Sequence, residues 1–436
     1  MGRASSIARA ALAGATLVLA VALGVSLHTI AALLEFAPSS RSHGDAQGSA
    51  AVSLAAEGSH AVGFRRWSAA EAPMALTVWY PALDGTDTGS DVDLSAGIAT
   101  VTVRYAYGIS LLDGGTTVAL ATYPGRAVPG ATPDHSGGPY PVVVLSPGFA
   151  ISATSYGWLA EHLASHGFVV AAVHHAESLD PQNLWRATVD RPRDVSAALD
   201  MVLQESEPDG PLAGLVDLER AAVVGHSYGG YAALTAGGAR LNTAELRAAC
   251  ESAGRPGGAL ALQCDSLLPQ LDELAARAGL DAVPSRDWPS WADRRVDAVV
   301  ALAGDAMMFG AQGLAGLTVP VLATGGTADR DSPFEWGTGA AFEHAATSRK
   351  VQVSLQGAEH LLFAGGCAAP RIVLDLVDTA FCSDPAWDQA SVHDLVAHYT
   401  TAFLLTDVTG IREARSLLVA NDQPTTPQLP YRAEGY

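Results

Sequence analysis

Cationic side chains are scarce in this sequence. Lysine and arginine total 25 against 45 aspartates and glutamates, a formal net charge of -20 at pH 7. Such a surface repels nucleic acid phosphates and anionic lipid headgroups alike, so no nucleic-acid partner is expected. No basic run, phosphate-binding glycine loop or zinc-type Cys/His spacing offers a competing reading. Charged residues make up only 16% of the chain and hydrophobic ones 49%, which excludes intrinsic disorder and leaves ample material for a large core. Cysteine is limited to Cys250, Cys264, Cys367 and Cys382, which allow three pairings. Proximity favours Cys250 with Cys264 and Cys367 with Cys382, each closing a loop of about 15 residues worth around 3 kcal/mol in the chain-entropy account. Two reduced, buried pairs are the alternative.

One long apolar run is present, at the N-terminus. Arg3 and Arg9 precede an apolar stretch over 10–25 that continues, diluted by Ser26, His28, Thr29 and Glu35, to Phe36. This predicts export from the cytoplasm, with residues 1–36 acting as a cleaved signal or as a membrane anchor. The protein is then secreted or held at the outer face of the cytoplasmic membrane. Residues 37–58, rich in Ala, Ser and Gly without a period, read as a flexible linker. The main folded domain is expected over 59–410, followed by a C-terminal extension over 411–436.

From Pro141 onward apolar runs of four to six residues alternate with amphipathic stretches. The runs at 142–146, 168–173, 221–224, 298–302, 320–323 and 351–355 predict buried strands, and 74–81 an earlier one ended by proline. Stretches 154–166, 192–204 and 228–237 carry apolar residues at helical spacing. The alternation demands an α/β architecture, a mostly parallel central sheet with helices on both faces. Between Arg240 and Arg295 no strand is predicted, only helix-like pieces and the 288–291 stretch Trp-Pro-Ser-Trp. This insertion is either a lid or a surface excursion.

The chemistry centres on Gly225-His226-Ser227-Tyr228-Gly229, placed between a strand and a helix. In that context a G-x-S-x-G run forms a sharp turn that projects the serine hydroxyl above the sheet. A serine hydroxyl is a weak nucleophile at neutral pH. It needs a base to take its proton and a carboxylate to orient that base. Asp329 follows the 320–323 strand and His360 the 351–355 strand, both where open parallel sheets place their sites. Asp329 is the expected acid, with Asp331 and Asp305 as rivals, and His360 the expected base. His174, His175 and His226 are expected to support structure, although the adjacent pair ends a strand and is a candidate for lining a pocket. Two fixed amides must receive the oxyanion, and Tyr228 and Phe149, in the 146–149 run Ser-Pro-Gly-Phe, fill those places. Trp158, Trp288 and Trp291 read as core aromatics.

With these residues in place, the chain resembles the α/β-hydrolase superfamily. It looks close to the platelet-activating-factor acetylhydrolase and predicted dienelactone-hydrolase group, and the resemblance also touches cutinase-like polyester hydrolases. The resemblance covers roughly 78–405 and is carried by 79–81, 146–149, 158–167, the 191–195 run Arg-Pro-Arg-Asp-Val, 225–230, Asp329 and His360. It implies ester hydrolysis through an acyl-enzyme without metal or organic cofactor, with Phe149 and Tyr228 as oxyanion donors and Cys367 paired with Cys382. The implied partner is a small-molecule, lipid or polymer ester. Ser227 departs from the cysteine nucleophile of the name-giving dienelactone hydrolases, and the 240–295 insertion matches no motif. A phospholipid acetylhydrolase and a polyester hydrolase are readings within this class. A non-catalytic lipid-binding protein on the same fold, acyl transfer to an alcohol, and peptidase activity stand outside it.

Overall fold

The computed structural model describes residues 53–67, 74–84, 103–112, 116–177, 180, 183–253, 259–365, 384–419 and 428–436. The N-terminal apolar run, most of the linker, and Cys367 and Cys382 lie outside them. Among the described residues no helix is long and apolar enough to cross a membrane.

The six predicted runs from 142 onward become the parallel heart of the sheet. They are β6 (Tyr140–Ser146), β7 (Val169–Val173), β8 (Val216–His226), β9 (Val296–Leu302), β10 (Val321–Gly326) and β11 (Lys350–Leu355). β1 (Ala61–Trp67) and β2 (Leu76–Ala82) extend it antiparallel beside β7, and the short β5 (Val128–Pro129) closes that edge. The order is β12-β11-β10-β9-β8-β6-β7-β2-β1-β5, where β12 (Tyr431–Glu434) pairs antiparallel with β11. Within the stretch expected as an extension, 431–434 are thus an edge strand of the main sheet. Four residues ending in Glu434 carry little apolar signal, and their placement rests on long-range pairing rather than local pattern.

Both faces of the sheet are covered, as continuous Val/Ala/Leu strands require. α1 (Gly157–Ser165) and α9 (Gln389–Asp407) pack on one face with Val143, Val170, Val224 and Val353. α2 (Leu184–Glu205) and α3 (Tyr228–Ala236) pack on the other with Val142, Val144 and Val223. The insertion folds as α4 (Thr243–Ala253), α5 (Ala259–Leu267) and α6 (Leu271–Arg277), and α5 and α6 lie on α2. Cys250 and Cys264 form a disulfide between α4 and α5.

A hairpin of β3 (Arg104–Leu112) and β4 (Thr116–Pro124) forms a separate two-stranded sheet that the apolar pattern does not reveal. Buried Glu161 on α1 anchors its base, accepting from the Tyr105 hydroxyl at 2.6 Å and from the Arg126 and Ala127 amides at 2.7 Å each. Farther along the hairpin, the Ser110 amide donates to the Ala150 carbonyl, and the Gly108 carbonyl accepts from the Ser152 amide, both at 2.8 Å.

The helix predicted from Pro192 begins eight residues earlier, at Leu184, with Pro192 inside it. Proline lacks the amide that would bond to the carbonyl four residues back, so the sequence reads as a helix start there. In the fold, the orphaned Thr188 carbonyl accepts from the buried Tyr231 hydroxyl of α3 at 2.8 Å. Tyr231→Phe is therefore expected to cost about 1–2 kcal/mol by leaving a buried carbonyl unsatisfied. The cost should shrink in a Pro192→Ala background, where the helix supplies its own amide. Chemical denaturation of the four proteins in the cycle measures this, and equal costs in both backgrounds would refute the link.

Candidate active site

Ser227 stands where β8 meets α3, with φ 55° and ψ -122°, a left-handed conformation that costs a non-glycine residue about 1–3 kcal/mol. Three backbone bonds hold it there. Its amide donates to the Leu302 carbonyl at 2.9 Å, and its carbonyl accepts from the Asp305 and Tyr231 amides at 3.1 Å each. The flanking glycines are required by contact. A Cβ at Gly225 would fall on the Gly229 carbonyl, and one at Gly229 on the Ser146 carbonyl. The first backbone bond of α3 runs from Tyr231 to Ser227, so the amides of Tyr228, Gly229 and Gly230 have no acceptor within the helix. They point their partial positive charge out of its N-terminus beside the serine.

Two loops from neighbouring strand ends complete the cluster. His360, in the short 3-10 turn after β11, places Nε2 2.8 Å from Ser227 Oγ. Its Nδ1–H donates to Asp329 Oδ2 at 2.7 Å, in the loop after β10. The other Asp329 oxygen accepts from the amides of Asp331 at 2.9 Å and Ser332 at 2.8 Å, which fixes the carboxylate. Asp331 supplies that amide, and buried Asp305 accepts a short hydrogen bond from the Ser332 hydroxyl. Burial by itself would lower the His360 pKa. The charge and hydrogen bond of Asp329, helped by Asp331 and Asp305, outweigh it and raise the value to about 9. Burial drives Asp305 the other way from an ordinary carboxylate, up to about 6.

His226, His174 and His175 are each held in packing contacts. His226 Nε2–H donates to the His360 carbonyl at 3.0 Å, and its Nδ1 accepts from the Tyr156 hydroxyl at 2.7 Å. Burial and the nearby His360 keep it neutral, so it bridges the His360 loop to Tyr156, just before α1, without adding charge. His174 bonds Thr77. His175 lies between Asp194, at 2.7 Å from Nδ1, and Ser146, whose hydroxyl is 2.9 Å from Nε2. This reproduces the distances around Ser227, but Ser146 is 0% exposed and its strand position offers no orphan amides. Access and the helix N-terminus separate the two serines, not hydrogen-bond length. Trp288 is buried on Thr243 and Trp158 is stacked on His393, so both are packing residues.

The loop after β6 carries Phe149, whose ring packs edge-on against Tyr228 with centroids 6.1 Å apart. Its neighbouring amides are taken. Gly148 donates to the Tyr156 hydroxyl at 3.2 Å, Ala150 to Glu177 at 2.9 Å and Ile151 to the Gly148 carbonyl at 3.1 Å. From Gly148 to Ile151, the Phe149 amide alone is not committed to a protein acceptor among the described residues. Glu177 is a residue the sequence reading missed, because nothing in a lone buried glutamate after a strand marks its partner. Among the described residues no group of three or more His, Cys, Asp or Glu is arranged to hold a metal ion.

A left-handed serine between a central parallel strand and a helix, below loops from the next strand ends, defines this molecule as an α/β-hydrolase fold. Residues 116–255 match a family model described as PET hydrolase-like. That stretch includes Phe149, Arg191 and Ser227, while Asp329 and His360 lie beyond it. The chain is 37% identical over 91 residues to cutinase est1 of Thermobifida alba, covering 21% of this chain and 28% of that protein. It is 36% identical over 91 residues to cutinase 2 of Thermobifida cellulosilytica, covering 21% and 32%. It is also 36% identical over 105 residues to the bis(hydroxyethyl) terephthalate hydrolase of Streptomyces coelicolor, covering 24% and 31%. The matched part spans less than a third of each of these relatives.

The buried carboxylates predict a titration. The His360 imidazole should titrate near about 9 by NMR, and in Asp329→Asn the value should fall, because the charge holding the proton is gone. An unchanged value in Asp329→Asn would mean that Asp329 does not control the ring.

Proposed function

We propose that this chain is an exported serine hydrolase that cleaves carboxylic esters, with polyester-type and related short esters as its substrate class. The observation that carries the reading is the serine whose Oγ is 2.8 Å from His360 Nε2 at the N-terminus of α3. The likeness to cutinases and to a terephthalate ester hydrolase supports the substrate class. Export is supported by the apolar run after Arg3 and Arg9 and by the Cys250–Cys264 disulfide, which suits an oxidising compartment. The phospholipid acetylhydrolase reading rests on sequence motifs alone.

In this mechanism Ser227 Oγ attacks the ester carbonyl while neutral His360 takes its proton at Nε2. Asp329 holds Nδ1–H, fixing the tautomer and stabilising the imidazolium that forms. The oxygen of the tetrahedral intermediate receives hydrogen bonds from the Phe149 and Tyr228 amides. Collapse returns the proton from His360 to the leaving alcohol and leaves an acyl ester on Ser227. Water, deprotonated by the same imidazole, then attacks the acyl carbon, and the imidazolium returns that proton to Ser227 Oγ as the acyl–Oγ bond breaks and the acid leaves. Only the neutral base is competent, so a raised His360 pKa shifts the rising limb of kcat/KM toward alkaline pH.

Purified protein assayed on p-nitrophenyl esters of graded chain length, bis(hydroxyethyl) terephthalate, a polyester film and an acetyl-phospholipid tests the reading. Short esters and the terephthalate should be turned over, with kcat/KM rising through about pH 9. Ser227→Ala should lose roughly four orders of magnitude in kcat or more. Full turnover by Ser227→Ala would sink the proposal, and turnover confined to the phospholipid would overturn the substrate class.

A further inference from the structure

The Arg191-Pro-Arg-Asp-Val195 run has no part in the chemistry above, yet Arg191 is 0% exposed and sits behind the loop that bears Phe149. Arg191 Nη1 donates to the Pro147 carbonyl at 2.5 Å, and Nη2 donates to the Gly148 carbonyl at 3.0 Å. Nε donates to Glu177 Oε2 at 3.1 Å, and a short hydrogen bond joins Nη2 to Glu177 Oε1. The same Glu177 Oε1 accepts from the Ala150 amide. One buried ion pair therefore holds two carbonyls before Phe149 and one amide after it. The same face of α2 carries Thr188, whose hydroxyl shares a 2.5 Å hydrogen bond with that of Tyr228, and Asp194, which holds His175 against Ser146.

The Gly148 carbonyl and the Phe149 amide belong to one planar peptide unit. A cation bonded to that carbonyl fixes the direction of the amide and draws electron density from it, which makes the N–H a stronger donor. We propose that Arg191 is a positioning residue of the oxyanion site. Held by Glu177, it orients and polarises the Gly148–Phe149 peptide without touching substrate. The proposal rests on the ester-hydrolase reading, and it gives the 191–195 run a role in transition-state stabilisation rather than in packing.

The test compares an oxygen ester with its thionoester, whose sulfur is a poor hydrogen-bond acceptor and gains little from oxyanion donors. Two variants are made. Arg191→Lys keeps a charge beside Glu177 but loses the fork that spans both carbonyls. Arg191→Met combined with Glu177→Met removes the pair without stranding a buried charge. In each, kcat on the oxygen ester should fall about 10- to 100-fold with KM changed less than about threefold, toward the effect of deleting one oxyanion donor. The oxygen-to-thiono rate ratio should fall in step. A drop in both rates with the ratio unchanged would make Arg191 a merely structural residue, and full activity in either folded variant would also overturn the proposal. Absence of ester hydrolysis by the unaltered protein would instead refute the functional reading beneath it.

Discussion

The site depends on one tight contact, the close approach of the β8–α3 turn to the ends of β6 and β9. Ser227 holds an unfavourable backbone conformation because Leu302, Asp305 and Tyr231 bond its amide and carbonyl. Gly225 and Gly229 let the backbones meet at distances that no side chain permits. That packing exposes the hydroxyl, frees the first amides of α3, and sets the Phe149 loop beside them. A sheet with buried, near-continuous apolar strands and helices on both faces is rigid enough to keep a strained residue in place.

Electrostatics around His360 are arranged in layers. Asp329 touches the ring, while Asp331 and Asp305 stand behind it and add to its basicity. His226, one residue before Ser227, stays neutral in full burial and ties the His360 loop to Tyr156, which also accepts from the Gly148 amide. The His360 loop and the Phe149 loop are thus joined through uncharged groups. The Ser146–His175–Asp194 set shows that matching distances are insufficient. Ser146 is sealed in the sheet and anchors the loop that follows it.

Much of this was legible in sequence because it is local. Apolar runs with helical stretches between them mark the parallel strands, and a glycine-bracketed serine between strand and helix marks the turn. Asp329 and His360 follow from their places after successive strands, and the structure brings both to Ser227. Proximity also favoured the Cys250–Cys264 pair. The rest depends on distant partners. β12 is a short edge strand defined by β11, and the β3–β4 hairpin is anchored by Glu161 from α1. Pro192 hid the first eight residues of α2, since its cost is offset by a tyrosine 39 positions away. Glu177 and Arg191 are plain charged residues until folding buries them together. The insertion is helical as expected.

The central claim is that Ser227 alone is the activated nucleophile. Reaction with a fluorophosphonate followed by peptide mapping tests it most directly. One phosphonyl adduct is expected, on Ser227, with none on Ser146 and none on any serine in a folded His360→Gln variant. An adduct on another serine, or a natively folded protein that stays unlabelled, would contradict it.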